Sequence, residues 1–193
     1  MSSCGFVRLL RYVGADLAID PFQSTRRALS ESPISPAAML QTSIRAMPEC
    51  IGALDGWLCP VRILRANECG RVVAFLSGHY QNYGLNVQAC CDYRCQFTAM
   101  TCRAPGGRND AVAFTQWSLS SVLFQIRDPY FVVADNAYPQ TRIDLTPFNQ
   151  AQTSGRPDRD SFNFYLSQYR IRVEMTFGLL VNTWGILSRP LCV

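Results

Sequence analysis

A chain of 193 residues is long enough to bury a core of its own, and with 48% apolar and 17% charged residues it is not a disordered chain. The net charge of 18 − 14 = +4 is carried by Arg alone, with no Lys. Arg pairs bidentately with phosphate, but so small a net charge permits a nucleic-acid partner without arguing for one, and a codon bias is the better explanation of the all-Arg composition.

The first 48 residues are expected to form a short helical remnant, with a piece such as Pro36 to Met47 following the cap-like Ser35. Arg8 and Arg11 interrupt any signal-peptide core. The longest uncharged apolar run, Met175 to Ser188, contains Asn182 and falls short of the roughly 18 residues of a membrane span. A soluble intracellular protein with no membrane partner is therefore expected. Residues 49–193 read as one α/β domain. Cys50 to Leu58 is a buried strand interrupted by a single Asp. Gly84 to Asp92 and Cys95 to Cys102 are two further strands, close enough to form a hairpin. After Pro105-Gly106-Gly107, Asp110 is placed to cap a helix running through Ala113, Phe114 and Trp117 to Leu123. Tyr130 to Ala134 is an apolar strand, and Gln150 to Asp160 a polar loop. From Asp160 to Leu187, the residues Phe162, Leu166, Tyr169, Val173, Phe177, Leu180 and Trp184 recur at steps of three and four, which builds one apolar helix face. The order predicts a mixed sheet with helices on its faces.

The nine cysteines include no CxxC pair, and the only His is His79. That count and spacing favour buried free thiols over a disulfide framework or a zinc site.

Three acids stand out. Asp55 lies within an apolar strand, Asp135 ends another, and Glu174 follows the core position Val173 on the long helix. Each has an ordinary reading by itself: a turn acceptor for either Asp, and an i,i+4 ion pair with Arg170 for Glu174. Together they form a hard, oxygen-rich set whose charges repel unless cations intervene. Mg²⁺ or Mn²⁺ suits such ligands, and a two-metal site of this kind cleaves phosphodiesters.

At these residues the sequence resembles the PIF/Harbinger family of DDE transposases and their domesticated nuclease relatives. The resemblance runs from Cys50 to Leu191 in five ordered blocks: Gly52-Ala53-Leu54-Asp55-Gly56; Ser77-Gly78-His79-Tyr80 into Gly84-Leu85-Asn86-Val87-Gln88-Ala89; Ala104-Pro105-Gly106-Gly107 with Asn109-Asp110; Asp135-Asn136-Ala137-Tyr138-Pro139 with Leu145-Thr146-Pro147-Phe148; and Phe162-Asn163 through Arg170-Ile171-Arg172-Val173-Glu174 to Phe177-Gly178. It implies an RNase H-like fold in which Asp55, Asp135 and Glu174 are catalytic and hold two divalent ions. It also implies a DNA substrate, a nuclear location and a separate Myb-like DNA-binding partner. Asp110 matches a further family acid, read as a helix cap and turn organiser with a direct place in the site as the alternative. Arg170 and Arg172 are candidates for a DNA phosphate contact or a structural ion pair. Against the family pattern the chain reads as shortened at its C-terminal end, and Thr183 stands where relatives commonly carry Arg or Lys. A relic that keeps the fold as a DNA- or protein-binding module is the rival expectation.

Overall fold

The computed structural model describes residues 47–62 and 65–192. The helix expected over Pro36 to Met47 lies almost wholly outside them. The architecture below is that of the compact unit Glu49–Val193.

Six strands form one mixed sheet: β1 (Cys50–Pro60), β2 (Leu76–Ser77), β3 (Asn82–Cys91), β4 (Phe97–Pro105), β5 (Phe131–Val133) and β6 (Asp144–Leu145). The helices are α1 (Ala66–Cys69), α2 (Asp110–Thr115), α3 (Ser118–Leu123), α4 (Gln150–Thr153) and α5 (Pro157–Thr183). The sheet order is β2-β3-β1-β5-β6, with β4 also on β3. β1 runs antiparallel to β3 and parallel to β5, and β6 extends the parallel half. This is the RNase H-like arrangement, a mixed sheet flanked by helices.

Strand alternation assigns the two faces. Leu54, Cys90, Val132 and Ala134 point to one side and pack with Phe114 and Trp117, around α2 and α3, and with Leu123 and Tyr138. Residues of the opposite parity meet α5. There the Tyr169 hydroxyl donates to the Cys50 carbonyl at 3.2 Å, and Phe177 lies against Trp57 and Phe97 with ring centroids 5.8 and 5.4 Å apart. The apolar stripe expected on the long helix is buried at Leu166, Tyr169, Val173 and Phe177. Trp184 departs from it: the helix ends at Thr183, and Trp184 is 61% exposed at its C-cap.

The hairpin of β3 and β4 forms as expected, its turn held by the Asp92 side chain accepting from the backbone N–H groups of Arg94 and Gln96. Three local expectations are corrected. The single helix over 110–123 is two helices, because Trp117 takes an extended backbone (φ −85°, ψ 132°) that turns its indole inward. The cap of the first is Asn109, whose side chain accepts from Val112 N at 2.9 Å, which frees Asp110 for other contacts. The polar stretch 150–160 is not a loop throughout. Asn149 and Gln152 form a reciprocal capping box on α4, and Pro157 starts α5 at a position that needs no N–H donor. The short strands β2 and β6 give too little pattern to be read from the sequence.

No disulfide links the described cysteines; Cys50, Cys59, Cys90, Cys91 and Cys95 are buried. Burial pushes the Cys50 and Cys91 thiols up to about 12, so they serve as small hydrophobes. No described helix is long and apolar enough to cross a membrane.

Candidate active site

The sheet register brings the two aspartates together. Ala53 on β1 pairs with Val133 on the parallel neighbour β5. Asp55 lies two residues further along β1 and Asp135 two residues past the end of β5, so the register carries both toward the helix α5 that pairs with Asp135 through Arg170. Asp55 is fixed by accepting from Gly56 N at 2.8 Å, and Asp135 by accepting from Ala137 N at 2.8 Å. Helix α5 supplies Arg170 and Glu174 one turn apart. The Arg170 guanidinium lies 4.0 Å from the Asp135 carboxylate and 3.7 Å from that of Glu174. Burial falls outward, with the Asp135 side chain 32% exposed and that of Glu174 56%.

All three acids and Arg170 line one cleft of about 860 Å³, together with Asp110, Arg108, His79 and Tyr80. Burial dominates the electrostatics of Asp55, and the neighbouring carboxylates add to it. The Asp55 carboxyl is pushed up to about 6, first by burial and then by the charges of Asp135 and Glu174, against the pull of the Gly56 N–H and Arg170. A cation among them would relieve that repulsion, and carboxylate oxygens are the donors Mg²⁺ and Mn²⁺ prefer. The donor chemistry thus fits a divalent ion. The acids are not drawn together around an ion, however: among the described residues, no three of His, Cys, Asp or Glu sit close enough to hold a metal between them.

Asp110 belongs to the site by a route the sequence reading did not foresee. Its carboxylate accepts from Asn86 Nδ2 at 2.9 Å and Gln88 Nε2 at 2.7 Å, and the Tyr138 hydroxyl donates to Gln88 Oε1 at 2.5 Å. This chain ties the segment after Asp135 to the start of α2. Its sequence signal was visible in Asn86 and Gln88, two polar residues at strand period inside an otherwise apolar strand. Gly56 is what lets the network close. A Cβ there would strike the Asp110 carboxylate and lie 2.7 Å from Gln88 Nε2. Gly56→Ala is expected to destabilise the fold by about 1–3 kcal/mol through this overpacking. Denaturant unfolding of the variant checks it, and an unchanged midpoint would mean that Asp110 is not held there.

Arg172 does not face the cleft. It is 1% exposed, with one guanidinium nitrogen donating to the Tyr93 carbonyl at 2.9 Å, so it braces the β3–β4 turn and offers nothing to a phosphate. It stands two residues from Arg170 and about 200° around the helix, so of its two expected roles, a phosphate contact or a structural pair, only a structural one fits, with a backbone carbonyl in place of an acid. Arg170 is the half of the pair that reaches the acids.

The RNase H-like sheet carries one aspartate on β1 and another just past its parallel neighbour β5, beside a helix that carries a glutamate. The family model of the DDE superfamily endonucleases matches residues 54–193, and the chain belongs to that family. No curated protein and no solved structure matches it.

Proposed function

We propose that this chain is the catalytic domain of a Harbinger-type DDE transposase or derived nuclease, cleaving DNA phosphodiesters with Asp55, Asp135 and Glu174 as its catalytic triad. The observation that carries this reading is the convergence of these three acids, from β1, the end of β5 and α5, on one cleft. The same three residues would hold Mg²⁺ or Mn²⁺, which when bound supply Lewis-acid activation of water and neutralise charge on the phosphate. The chain's own part is to fix the carboxylates. The Gly56 and Ala137 N–H groups orient Asp55 and Asp135, and Arg170 holds Glu174 toward them. A DNA substrate implies nuclear action, and the cleft's modest basic complement fits a division of labour in which a Myb-like partner supplies sequence recognition.

A second reading, a binding module without turnover, draws on Arg170, whose guanidinium already pairs with two of the three acids. Nicking of supercoiled plasmid by the purified protein with Mg²⁺ or Mn²⁺ separates the two. Metal-dependent nicking that is lost in Glu174→Ala supports the nuclease. A folded protein that fails to nick, alone and with its DNA-binding partner, favours the module.

A further inference from the structure

The rim of the cleft carries an aromatic and a cation that the triad does not use. Tyr80 is 52% exposed beside the acids. It sits on a tight turn after β2 with little freedom. Its N–H donates to Ser77 Oγ at 3.3 Å, Gln81 N donates to the Ser77 carbonyl at 2.9 Å, and Gln81 takes the left-handed backbone at φ 53°. The His79 ring meets it edge-on at 4.7 Å. The Tyr80 phenol is held above its ordinary range by burial and by Asp55, Asp110 and Glu174, so it stays neutral beside them.

Arg108 lies on the loop that abuts this segment. Gly106 N donates to the Gly84 carbonyl at 2.8 Å and Gly107 N to the Ala74 carbonyl at 2.9 Å. Side chains would block the approach, since a Cβ on Gly107 would lie 2.6 Å from the Ala74 oxygen. Arg108 is exposed on the cleft, and no ion pair among the described residues engages it, whereas Arg170 is committed to Asp135 and Glu174. The rim thus presents an exposed aromatic ring on the Ser77–Gln81 turn and an uncommitted guanidinium on a loop anchored to Ala74 and Gly84, on either side of that turn, both beside the acids.

We infer that this rim is a nucleotide subsite, in which an unpaired base of the DNA strand being cleaved stacks on Tyr80 while an adjacent backbone phosphate pairs with Arg108. The inference deepens the nuclease reading and rests on it. Stacking needs an accessible π face, and the turn's hydrogen bonds hold the backbone that carries the Tyr80 ring at the cleft. A guanidinium without a carboxylate partner keeps its bidentate capacity for phosphate. Unpairing of the strand is what exposes a base to such a face, so single strands and frayed ends are the ligands expected.

The test uses the full chain in an Asp55→Asn background, so that DNA is bound and not cut. A single-stranded oligonucleotide carrying 2-aminopurine serves as the probe, read by fluorescence quenching and anisotropy. Tyr80→Ala should weaken binding by about 5- to 150-fold and abolish the quench, and Tyr80→Phe, which keeps the ring, should restore both. Arg108→Gln should leave the quench and lower the slope of log affinity against log salt by about 0.7, one phosphate's share on a single strand. Tyr80→Ala that binds and quenches like the parent overturns the subsite. If that occurs while the wild-type protein still nicks plasmid in a metal-dependent way, the subsite alone falls. If the parent neither nicks as wild type nor binds the oligonucleotide, the nuclease reading and the subsite fall together.

Discussion

Asp55→Asn is expected to lower metal-dependent nicking by about 10³-fold, the equivalent of about 4 kcal/mol of lost transition-state stabilisation. The same substitution is expected to make the metal-free protein more stable near neutral pH. Both follow from one fact: Asp55 is a carboxylate kept partly out of water beside two others. In the folded protein its pKa is raised from the ordinary carboxylate value of 3.8 to about 6, chiefly by burial. Between those values the native state retains a proton that the unfolded chain has released. The stability of the metal-free protein therefore falls as pH rises through that window, and remains lowered above it. Asn carries no charge, so the variant should lose most of this slope, and added Mg²⁺ or Mn²⁺ should stabilise the wild type more than the variant. Thermal melts across pH, with and without metal, read the stability arm, and plasmid nicking reads the catalytic one. A variant that nicks like the wild type would remove Asp55 from the catalytic set. A wild type with no downward slope between pH 4 and about 6 would show that the Asp55 carboxylate is not withdrawn from water as described.

Phe114→Ala is expected to cost about 3–5 kcal/mol of folding stability, the range for emptying a fully buried aromatic site. Phe114 is 1% exposed in the cluster formed with Leu54, Trp117 and Val132. Its ring stands T-shaped against Tyr138 with centroids 5.5 Å apart. The effect should reach the site as well. Tyr138 donates to Gln88, and Gln88 donates to Asp110, so a cavity beneath Tyr138 loosens the network packed against Gly56. Chemical denaturation measures the first effect. A loss below about 1 kcal/mol would mean that the cluster closes around the gap or that Phe114 is not central to it.

The strands and the long helix were legible because their burial is one-sided and periodic. Gly84 to Asp92 and Cys95 to Cys102 came out as β3 and β4 within a few residues, and the apolar spacing from Leu166 to Phe177 marked the buried face of α5. Capping was harder. Asp110 and Asn109 are both good N-cap residues, and only the direction of the chain at the helix start decides which side chain reaches the free N–H groups. The role of Arg172, open in the sequence between a phosphate contact and a structural pair, was undecided for a related reason. A charged residue on a helix is ordinarily solvated, and what makes burial tolerable here is the Tyr93 carbonyl, 79 positions away in the chain.

Sequence by itself determined the α/β class, the main strands and helix, the family resemblance, and which three acids to watch, since these depend on residue type and short-range periodicity. Tertiary structure alone decided that Ala53 pairs with Val133, and so that Asp55 and Asp135 are both carried toward α5. It alone turned Arg170 toward the acids and Arg172 away, seated Asp110 against Gly56, and set Tyr80 and Arg108 on one rim. These placements are set by register and packing between segments 20 to 120 residues apart, where the energy lies in the pairing and no single segment carries a local signal of it.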